Sequence, residues 1–246
     1  MSCACEVLPG KQIAGLPHKL RPRFLAGLSK AELSHVLSLA RHRQFRASSV
    51  VIQQGEPADR FFVLTSGQGR HFVTTDDGRK ILLYWLTAGQ VFGATSILSV
   101  PFQYLAGTEL LTDSCALMWD RQTVREMVSR YPVLLDNAVS IAVTEYAAWF
   151  VAAQISLSSE DARGRTARML VSLSCGIGKA TADGIELKIK NEDLAAGANV
   201  TPFTVSRILN EWQRAGVLTK VRGKLLLRKP LLLAAELNSS TPLPCR

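Results

Sequence analysis

The sequence lacks the residue groups on which most enzymes and metalloproteins depend. Its four histidines, at positions 18, 35, 42 and 71, show no metal-ligand spacing, and no Ser/His/Asp or paired-carboxylate constellation is visible. The five cysteines are odd in number and scattered, a spacing that does not indicate a disulfide framework, so reduced thiols are expected. No basic start followed by an apolar run opens the chain, so no signal peptide is predicted. We therefore expect a cytoplasmic protein with no catalytic residues and no metal site.

Acidic residues are scarce in the C-terminal third. Residues 160–230 contain 13 Lys or Arg against 7 Asp or Glu, a net charge of +6 out of +9 for the whole chain. Such an excess favours a polyanionic partner, with nucleic acid first, although a merely solvated basic surface would have the same composition.

The N-terminal half has the texture of a small β-domain. Residues 1–27 are punctuated by Pro and Gly and predict an irregular arm. Ser29 and Glu32 have capping-box spacing and predict a helix to about Ala40. From Arg43 to Trp119, short β-rich runs alternate with turn residues, and Asp77-Gly78 between two such runs predicts a hairpin. Evenly spaced short strands are typical of a barrel or jelly roll.

A long stretch that is almost free of charge follows a predicted helix over residues 121–130. Only Asp136 and Glu145 are charged between Pro132 and Leu157. The run is long enough for a membrane span, but Glu145 at its middle would be costly in lipid, so we expect no membrane association. It predicts one long helix instead.

This helix carries two apolar stripes with heptad-like spacing, and both must be covered. The barrel can cover one stripe, and the same helix of a second chain can cover the other, as in a parallel coiled coil. Burial wholly inside one chain is the alternative. The first stripe, whose members up to Ala152 are predicted for the dimer interface, consists of Leu134, Ala138, Ile141, Glu145, Ala148, Ala152 and Ile155. The second consists of Leu135, Val139, Ala142, Tyr146, Trp149 and Ala153.

The C-terminal region predicts a winged helix-turn-helix. Residues 158–161 are rich in capping types and mark a hinge before a helix to about Cys175. A short helix from Asn191, a tight turn at 197–200 and a second helix over 201–214 follow, with Thr201 as N-cap and Pro202 at the first helical position. A hairpin around Arg222-Gly223 then forms the wing. Helix, turn, helix and wing make a DNA-reading unit.

The leading edge of the second helix is expected to enter the major groove. Thr201 and Thr204 can donate to phosphates, and Arg207 can contact the O6 and N7 of a guanine. Phe203 offers an apolar contact to a thymine methyl group, with a partly buried structural role as the alternative. The full set of predicted DNA contacts is Thr201, Phe203, Thr204, Ser206 and Arg207, with Arg163, Arg222 and Lys224 on the DNA backbone.

Three segments in the right order resemble the CRP/FNR superfamily, that of the catabolite activator protein and the fumarate–nitrate reduction regulator. "QQGEPADRFFVLTSGQ" and "LTAGQVFGATSIL" resemble its cyclic-nucleotide-binding barrel, and "VTPFTVSRIL…GVL…RGKLLL" resembles its recognition helix and wing. The resemblance covers roughly residues 28–230. It implies a homodimeric transcription regulator that reads a palindromic operator, with double-stranded DNA and RNA polymerase as partners.

The resulting architecture is α+β. We predict an arm at 1–27, a cyclic-nucleotide-binding-like sensor barrel (jelly roll) at 28–130, a dimerisation helix and hinge at 131–158, and a winged helix-turn-helix at 159–238. Within the recognition helix, Arg207 stands at the family's guanine-reading arginine and Ser206 matches the serine of the fumarate–nitrate type. Phe203 replaces the usual glutamate.

The sensor pocket departs from the family pattern. In the family, cyclic AMP needs a glutamate for the ribose and an arginine for the phosphate, whereas Ala94 and Tyr104 stand at or near those positions here. An anionic phosphate would therefore lack its cation. An apolar pocket for an uncharged effector, or for none, is expected instead. Its predicted residues are Leu83, Trp85, Phe92, Gly93, Ala94, Ile97 and Tyr104.

The sequence gives little support for an iron–sulfur or haem sensor, so it does not identify a cofactor. An iron–sulfur cluster would need more than Cys3 and Cys5 near the N-terminus, and Cys115 suits a buried strand position. Haem sensing would need Cys and His near Gly93 and Thr95, and His71 is expected on the surface. A redox- or haem-sensing regulator and a regulatory module acting on a protein partner stay as alternatives, although such a module needs no recognition helix.

Overall fold

The computed structural model describes residues 22–78, 80–221 and 223–237, in two compact units. The first unit contains the described residues up to 144, apart from 80–83, and the second contains 80–83 and those from 145 onward. Residues 1–21 of the predicted arm lie outside the described residues. Its described part includes a 3₁₀ turn at Arg23–Leu25, with Phe24 fully buried. The predicted domain limits stay predictions.

Two four-stranded sheets form the β-domain. Their strand orders are β1-β8-β3-β6 and β2-β7-β4-β5. The predicted hairpin is confirmed, because β4 and β5 are neighbours and Gly78 between them has a φ of +81°, which glycine adopts without strain. The strands are β1 (Arg41–Phe45), β2 (Ser49–Ile52), β3 (Arg60–Ser66), β4 (Gln68–Thr74), β5 (Lys80–Thr87), β6 (Val91–Phe92), β7 (Gly107–Leu110) and β8 (Ser114–Asp120).

Both sheets contribute to one apolar core. The rings of Phe62 and Phe92 stack with centroids 4.5 Å apart. Because side chains alternate along a strand, every second residue of β3 and β8 reaches this core. Its buried members are Ile52, Ala58, Phe62, Leu64, Leu86, Phe92, Tyr104, Leu110, Ala116 and Met118.

His71 is buried, so the expectation that it lies on the surface was wrong. Its ring is 8% exposed, and Nδ1 lies 3.0 Å from the Oγ1 of Thr108, the residue opposite on β7. Burial lowers the pKa of His71 to about 4, with a hydrogen bond to the Gly107 backbone acting weakly in the other direction. The imidazole is therefore neutral at physiological pH.

This burial predicts an acid-sensitive first unit. Between pH 6.5 and about 4 the unfolded chain binds a proton at His71 that the folded chain does not, so the free energy of unfolding falls as the pH drops. The loss is about 3 kcal/mol across that range. In denaturant titrations at a series of pH values, His71→Asn is expected to flatten this slope, whereas substitution of the exposed His42 by Asn leaves it unchanged. An equal slope in all three proteins would contradict the prediction.

The helices of the first unit follow their sequence signals closely. α1 (Lys30–Ser38) has the predicted capping box, with Ser29 Oγ accepting from the Glu32 backbone and Glu32 accepting from the Ser29 backbone. α2 spans Arg121–Arg130 as predicted. α3 (Pro132–Ile141) packs against the 3₁₀ turn, where Asn137 Nδ2 donates to the carbonyls of Phe24 at 2.9 Å and Ala26 at 2.8 Å.

The helix that begins at Pro132 continues to Ser159, two residues beyond its predicted end. A π-helical turn at Ala142–Ala147 separates α3 from α4 (Ala148–Ser159). In the part of the chain that the structure describes, this is the helix whose length and composition would suffice to cross a membrane. Few of its residues are buried, and Leu135, Val139, Val143 and Val151 are among its exposed apolar side chains.

The stripe assigned to a dimer partner needs correction. Leu134 and Ile141 are 0% and 5% exposed, so these members of the first stripe pack within their own unit and cannot face a second chain. Leu135 and Val139 of the second stripe are 44% and 56% exposed, and the neighbouring Val143 is 60% exposed. Of the other predicted residues, Ala152 is also buried, Ala138 and Glu145 are half-buried, and Ala148 is exposed. Heptad spacing identified two faces, but it could not say which one the barrel covers.

The second unit combines a helical core with a small sheet. α5 (Ala162–Gly176) begins at an Asp161 cap. α6 (Asn191–Ala198) and α7 (Pro202–Arg214) form the helix-turn-helix, and α8 (Pro230–Ala235) follows the wing. The sheet order is β11-β12-β10-β9, where β9 (Lys179–Thr181) was not predicted. The other strands are β10 (Gly184–Leu187), β11 (Leu218–Val221) and β12 (Lys224–Leu227).

Candidate nucleic-acid interface and sensor core

The helix-turn-helix forms as its sequence predicts. Asn199 lies in the left-handed region at φ 49°, where Asn is tolerated, and ends α6. Thr201 Oγ1 accepts a hydrogen bond from the Thr204 backbone at 3.1 Å, which caps α7. The apolar face of α7, whose members Val205, Ile208, Leu209 and Trp212 recur at helical spacing, is at most 1% exposed. Anchoring one face leaves the opposite face of α7 directed to solvent.

The solvent face of α7 begins with an exposed aromatic ring. Phe203 is 80% exposed, so the partly buried role considered for it is excluded in this unit. The hydroxyls of Thr201 and Thr204 lie 2.9 Å apart, and one of the two protons stays available because only one is needed between them. Ser206 is half-buried, and its carbonyl lies 3.5 Å from Lys220 Nζ.

Arg207 lies one turn beyond Phe203 and is 59% exposed. Its Nη1 donates to Glu211 Oε1 at 3.0 Å, an (i, i+4) ion pair on the helix surface. Sequence reasoning did not single out Glu211, although the spacing of four from Arg207 was a visible signal. The guanidinium, the phenyl ring and the threonine hydroxyls together make one solvent-facing edge with cationic, apolar and polar parts.

Arg163, which is predicted to contact the DNA backbone, forms several hydrogen bonds inside its own unit. Its Nη1 donates to Glu211 Oε2 at 2.7 Å, and its Nε and Nη2 donate to Glu236 at 2.7 and 2.9 Å. Its guanidinium also lies over the Trp212 ring, 5.0 Å from the centroid. Each of its three nitrogens donates inside the unit, so Arg163 ties α5 to α7 and to the residue that follows α8.

The wing presents fewer free cations than the sequence suggested. Lys224 Nζ lies 3.0 Å from the Glu186 carboxylate on β10. Lys220, which the sequence analysis passed over, places Nζ 2.6 Å from Asn210 Oδ1 of α7 and so holds the wing against that helix. Burial lowers the pKa of Lys220. Arg222 lies outside the described residues.

A polar network joins the start of α5 to the turn of the helix-turn-helix. Arg165 Nη1 donates to the Glu160 carbonyl at 2.7 Å, and its Nε donates to the Ala198 carbonyl at 3.0 Å. The buried Glu160 side chain forms an ion pair with Arg168. The Arg165 side chain thereby connects the residues before α5 with the last residue of α6, which precedes the turn.

Tyr104 closes one end of the β-domain core. Its ring is 6% exposed among the core residues, and its hydroxyl accepts from the Arg60 backbone N–H and donates to the Arg60 carbonyl, both at 2.9 Å. Burial raises the pKa of Tyr104 to about 12, with the Asp59 carboxylate acting in the same direction. The phenol is therefore neutral at physiological pH, and its hydroxyl is held by the Arg60 backbone.

The structure brings together only part of the predicted pocket. Phe92 and Tyr104 belong to the same core, and Gly93 precedes the 3₁₀ turn Ala94–Ile97, in which Ile97 is buried and Ala94 is exposed. Leu83 and Trp85 are half-buried and do not belong to this core. Tyr84 and Leu86 of β5 face the core, so the residues that alternate with them face the opposite side of the sheet.

The described residues contain no candidate metal site. In residues 22–78, 80–221 and 223–237, no group of three or more His, Cys, Asp or Glu lies close enough to hold a metal ion. Cys3 and Cys5 lie outside the described residues.

Two family models match the chain, one in each half. Residues 42–131 match the cyclic nucleotide-binding domain, and residues 164–236 match the Crp-like helix-turn-helix domain. The chain is 26% identical over 208 residues to the cyclic AMP receptor protein of Thermus thermophilus, covering 84% of this chain and 93% of that protein. It is 24% identical over 200 residues to the global nitrogen regulator of a Nostoc species, covering 78% and 87%.

Solved structures show the same fold at lower identity. FixK2 from Bradyrhizobium japonicum superimposes with a TM-score of 0.71 at 19% identity, covering 82% of this chain and 98% of that one. The c-di-GMP responsive regulator CLP of Xanthomonas campestris gives 0.70 at 16% identity, covering 81% and 99%. These likenesses extend over both halves of the chain.

Proposed function

The chain belongs to the CRP/FNR superfamily of DNA-binding transcription regulators, and from that premise we propose that it acts as a homodimer on a two-fold palindromic operator. The observation that carries the proposal is the solvent-facing edge of α7, where Phe203 and Arg207 project from a helix whose opposite face is buried. Helices presented in this way read base edges in the major groove. We also propose that the protein acts in the cytoplasm and that RNA polymerase is its protein partner.

Within each half-site we assign Arg207 to a guanine, since its guanidinium matches O6 and N7. Thr201 and Thr204 are assigned to phosphates at the N-terminus of α7, where the helix dipole favours an anion. Ser206 is assigned to a neighbouring base or phosphate. Lys224 and Arg222 are proposed at the wing, with Lys224 exchanging its Glu186 partner for phosphate.

We propose that the β-domain answers to an effector other than a cyclic nucleotide bound in the usual mode. Relatives include a cyclic AMP receptor protein, but Ala94 and Tyr104 offer neither of the charged groups that cyclic AMP needs. Two of the predicted pocket residues, Phe92 and Tyr104, belong to a core that is otherwise apolar, so an uncharged effector suits it better. The Arg165 bridge between Glu160 and Ala198 supports signal transfer through the long helix to the recognition helix.

We propose that the protein has no catalytic activity. One experiment distinguishes a DNA-binding regulator from a regulatory module that acts on a protein partner. Selection from a random DNA pool with purified full-length protein, with and without cell extract, would give the half-site, the spacing of half-sites and any effector requirement. A palindrome enriched by the protein is expected. If the chain is instead a regulatory module for a protein partner, no sequence will be enriched under either condition.

The exposed Phe203 ring predicts sensitivity to a single methyl group. In the major groove the apolar feature that a phenyl ring can contact is the C5-methyl of thymine. Replacing the contacted thymine by deoxyuridine removes only that methyl and is expected to weaken binding roughly fourfold, the value of about one buried methyl group. Fluorescence anisotropy on matched operators would measure this.

The control for this prediction is the Phe203→Ala variant, which should bind the thymine and deoxyuridine operators equally. Deoxyuridine outside the half-sites should leave both proteins unaffected. Wild-type binding that tolerates deoxyuridine at every thymine of the half-site would remove Phe203 from base reading.

A further inference from the structure

Glu211 lies between two arginines that belong to different helices. Its Oε1 accepts from Arg207 Nη1 at 3.0 Å, and its Oε2 accepts from Arg163 Nη1 at 2.7 Å. Each carboxylate oxygen therefore serves a different guanidinium. The carboxylate is only 32% exposed, so solvent screens both ion pairs less than it would a fully exposed pair.

Arg163 is itself held firmly behind Glu211. It makes two further hydrogen bonds to Glu236, and Glu236 accepts another from Trp212 Nε1 at 3.0 Å. Trp212 is fully buried, and the Arg163 guanidinium lies over its ring. The hydrogen bonds to Glu236 raise the pKa of Arg163 further, so its charge is permanent. The cation that fixes Glu211 is thus attached to the core of the unit.

This arrangement restrains Arg207 before any DNA is bound. An exposed arginine loses side-chain entropy when it binds, and a restrained one loses less. Glu211 engages only Nη1, so the Nε–Nη2 edge stays available for a bidentate contact, and no hydrogen bond within the described residues uses that edge. The carboxylate would also repel phosphates, which disfavours a contact of Arg207 with the DNA backbone instead of a base.

We propose that Glu211 is a positioning residue that sets guanine specificity through Arg207, with Arg163 and Glu236 holding Glu211 in place. The inference rests on the proposed function, because it takes α7 to be the helix that reads DNA. It assigns the Arg163–Glu236 network, and with it the segment after α8, a part in base recognition.

A double-mutant cycle on full-length protein tests the proposal. The readout is the ratio of the Kd values for adenine and guanine at the position that depends on Arg207, in an operator obtained by selection. Glu211→Gln is expected to lower this preference for guanine roughly tenfold, which is within the range of one good bidentate contact. In an Arg207→Ala background the same change is expected to do nothing, because Glu211 acts through Arg207. Arg163→Gln should lower the preference less, since Arg207 keeps its partner.

A matched control separates positioning from charge. Glu192→Gln removes an exposed carboxylate from the first turn of α6, and we expect it to leave the guanine preference unchanged. Thermal unfolding of each variant reports folding, and Glu211→Asp, which keeps the charge but shortens the reach, should also lose preference. Full guanine preference in Glu211→Gln, or an equal loss with and without Arg207, would overturn the inference. If wild-type protein selects no sequence at all, the proposed function fails first.

Discussion

Arg207→Ala is expected to abolish the preference for one guanine in each half-site while leaving the protein folded. A bidentate contact to guanine is worth about 1–3 kcal/mol of discrimination, or roughly five- to 150-fold in relative Kd. The fold should survive, because Arg207 is largely exposed and its ion pair with Glu211 lies on the helix surface. Anisotropy titrations of operators that carry each of the four bases at every half-site position, at one salt concentration, would measure the loss.

The pattern of the loss identifies the role of Arg207. Relaxed specificity at one position means a base contact, whereas a uniform loss for all sequences, with a shallower salt dependence, would make it a phosphate contact. Arg214 offers a matched control, since it lies on the same helix in the last turn and is also exposed. Arg214→Ala is expected to keep the base preferences of the wild type.

Val139→Asp is expected to yield folded monomers that bind the operator roughly 10²–10⁴-fold more weakly, since a monomer loses the second half-site. Val139 is 56% exposed on the side of α3 that the first unit leaves uncovered, so an aspartate costs nothing there in the monomer but would be buried at a dimer interface. Light scattering after size exclusion would give the mass, and anisotropy would give the affinity.

Ile141→Asp provides the contrasting result. Ile141 is 5% exposed, so the charge would be buried within its own chain and the melting temperature should fall sharply. Wild-type protein that is monomeric at micromolar concentration, or a Val139→Asp variant that still forms dimers, would contradict the dimer proposal. The two variants differ by two residues on one helix, which makes the comparison a direct test of its two faces.

Local signals determined much of this protein from the sequence alone. The Ser29–Glu32 capping box, the Gly78 turn and the Thr201-Pro202 helix start all form as predicted, because each depends on backbone geometry within a few residues. The apolar face of α7 was also readable, since the 3.6-residue period places its members on one side of any helix. The two-part architecture followed from such elements taken in order.

Only the tertiary structure decided which face of an element is buried and which partner a charged side chain has. Spacing gave the long helix two apolar stripes, and only packing against the turn at Arg23–Leu25 shows that Leu134 and Ile141 face inward. A basic residue near a recognition helix suggested a DNA contact for Arg163, but carboxylates from α7 and from beyond α8 take up its donors. His71 followed the same rule, because the face on which a strand residue lies depends on strands distant in sequence. Periodicity is a local property, whereas the partner that covers a face or neutralises a charge is chosen by the folded chain.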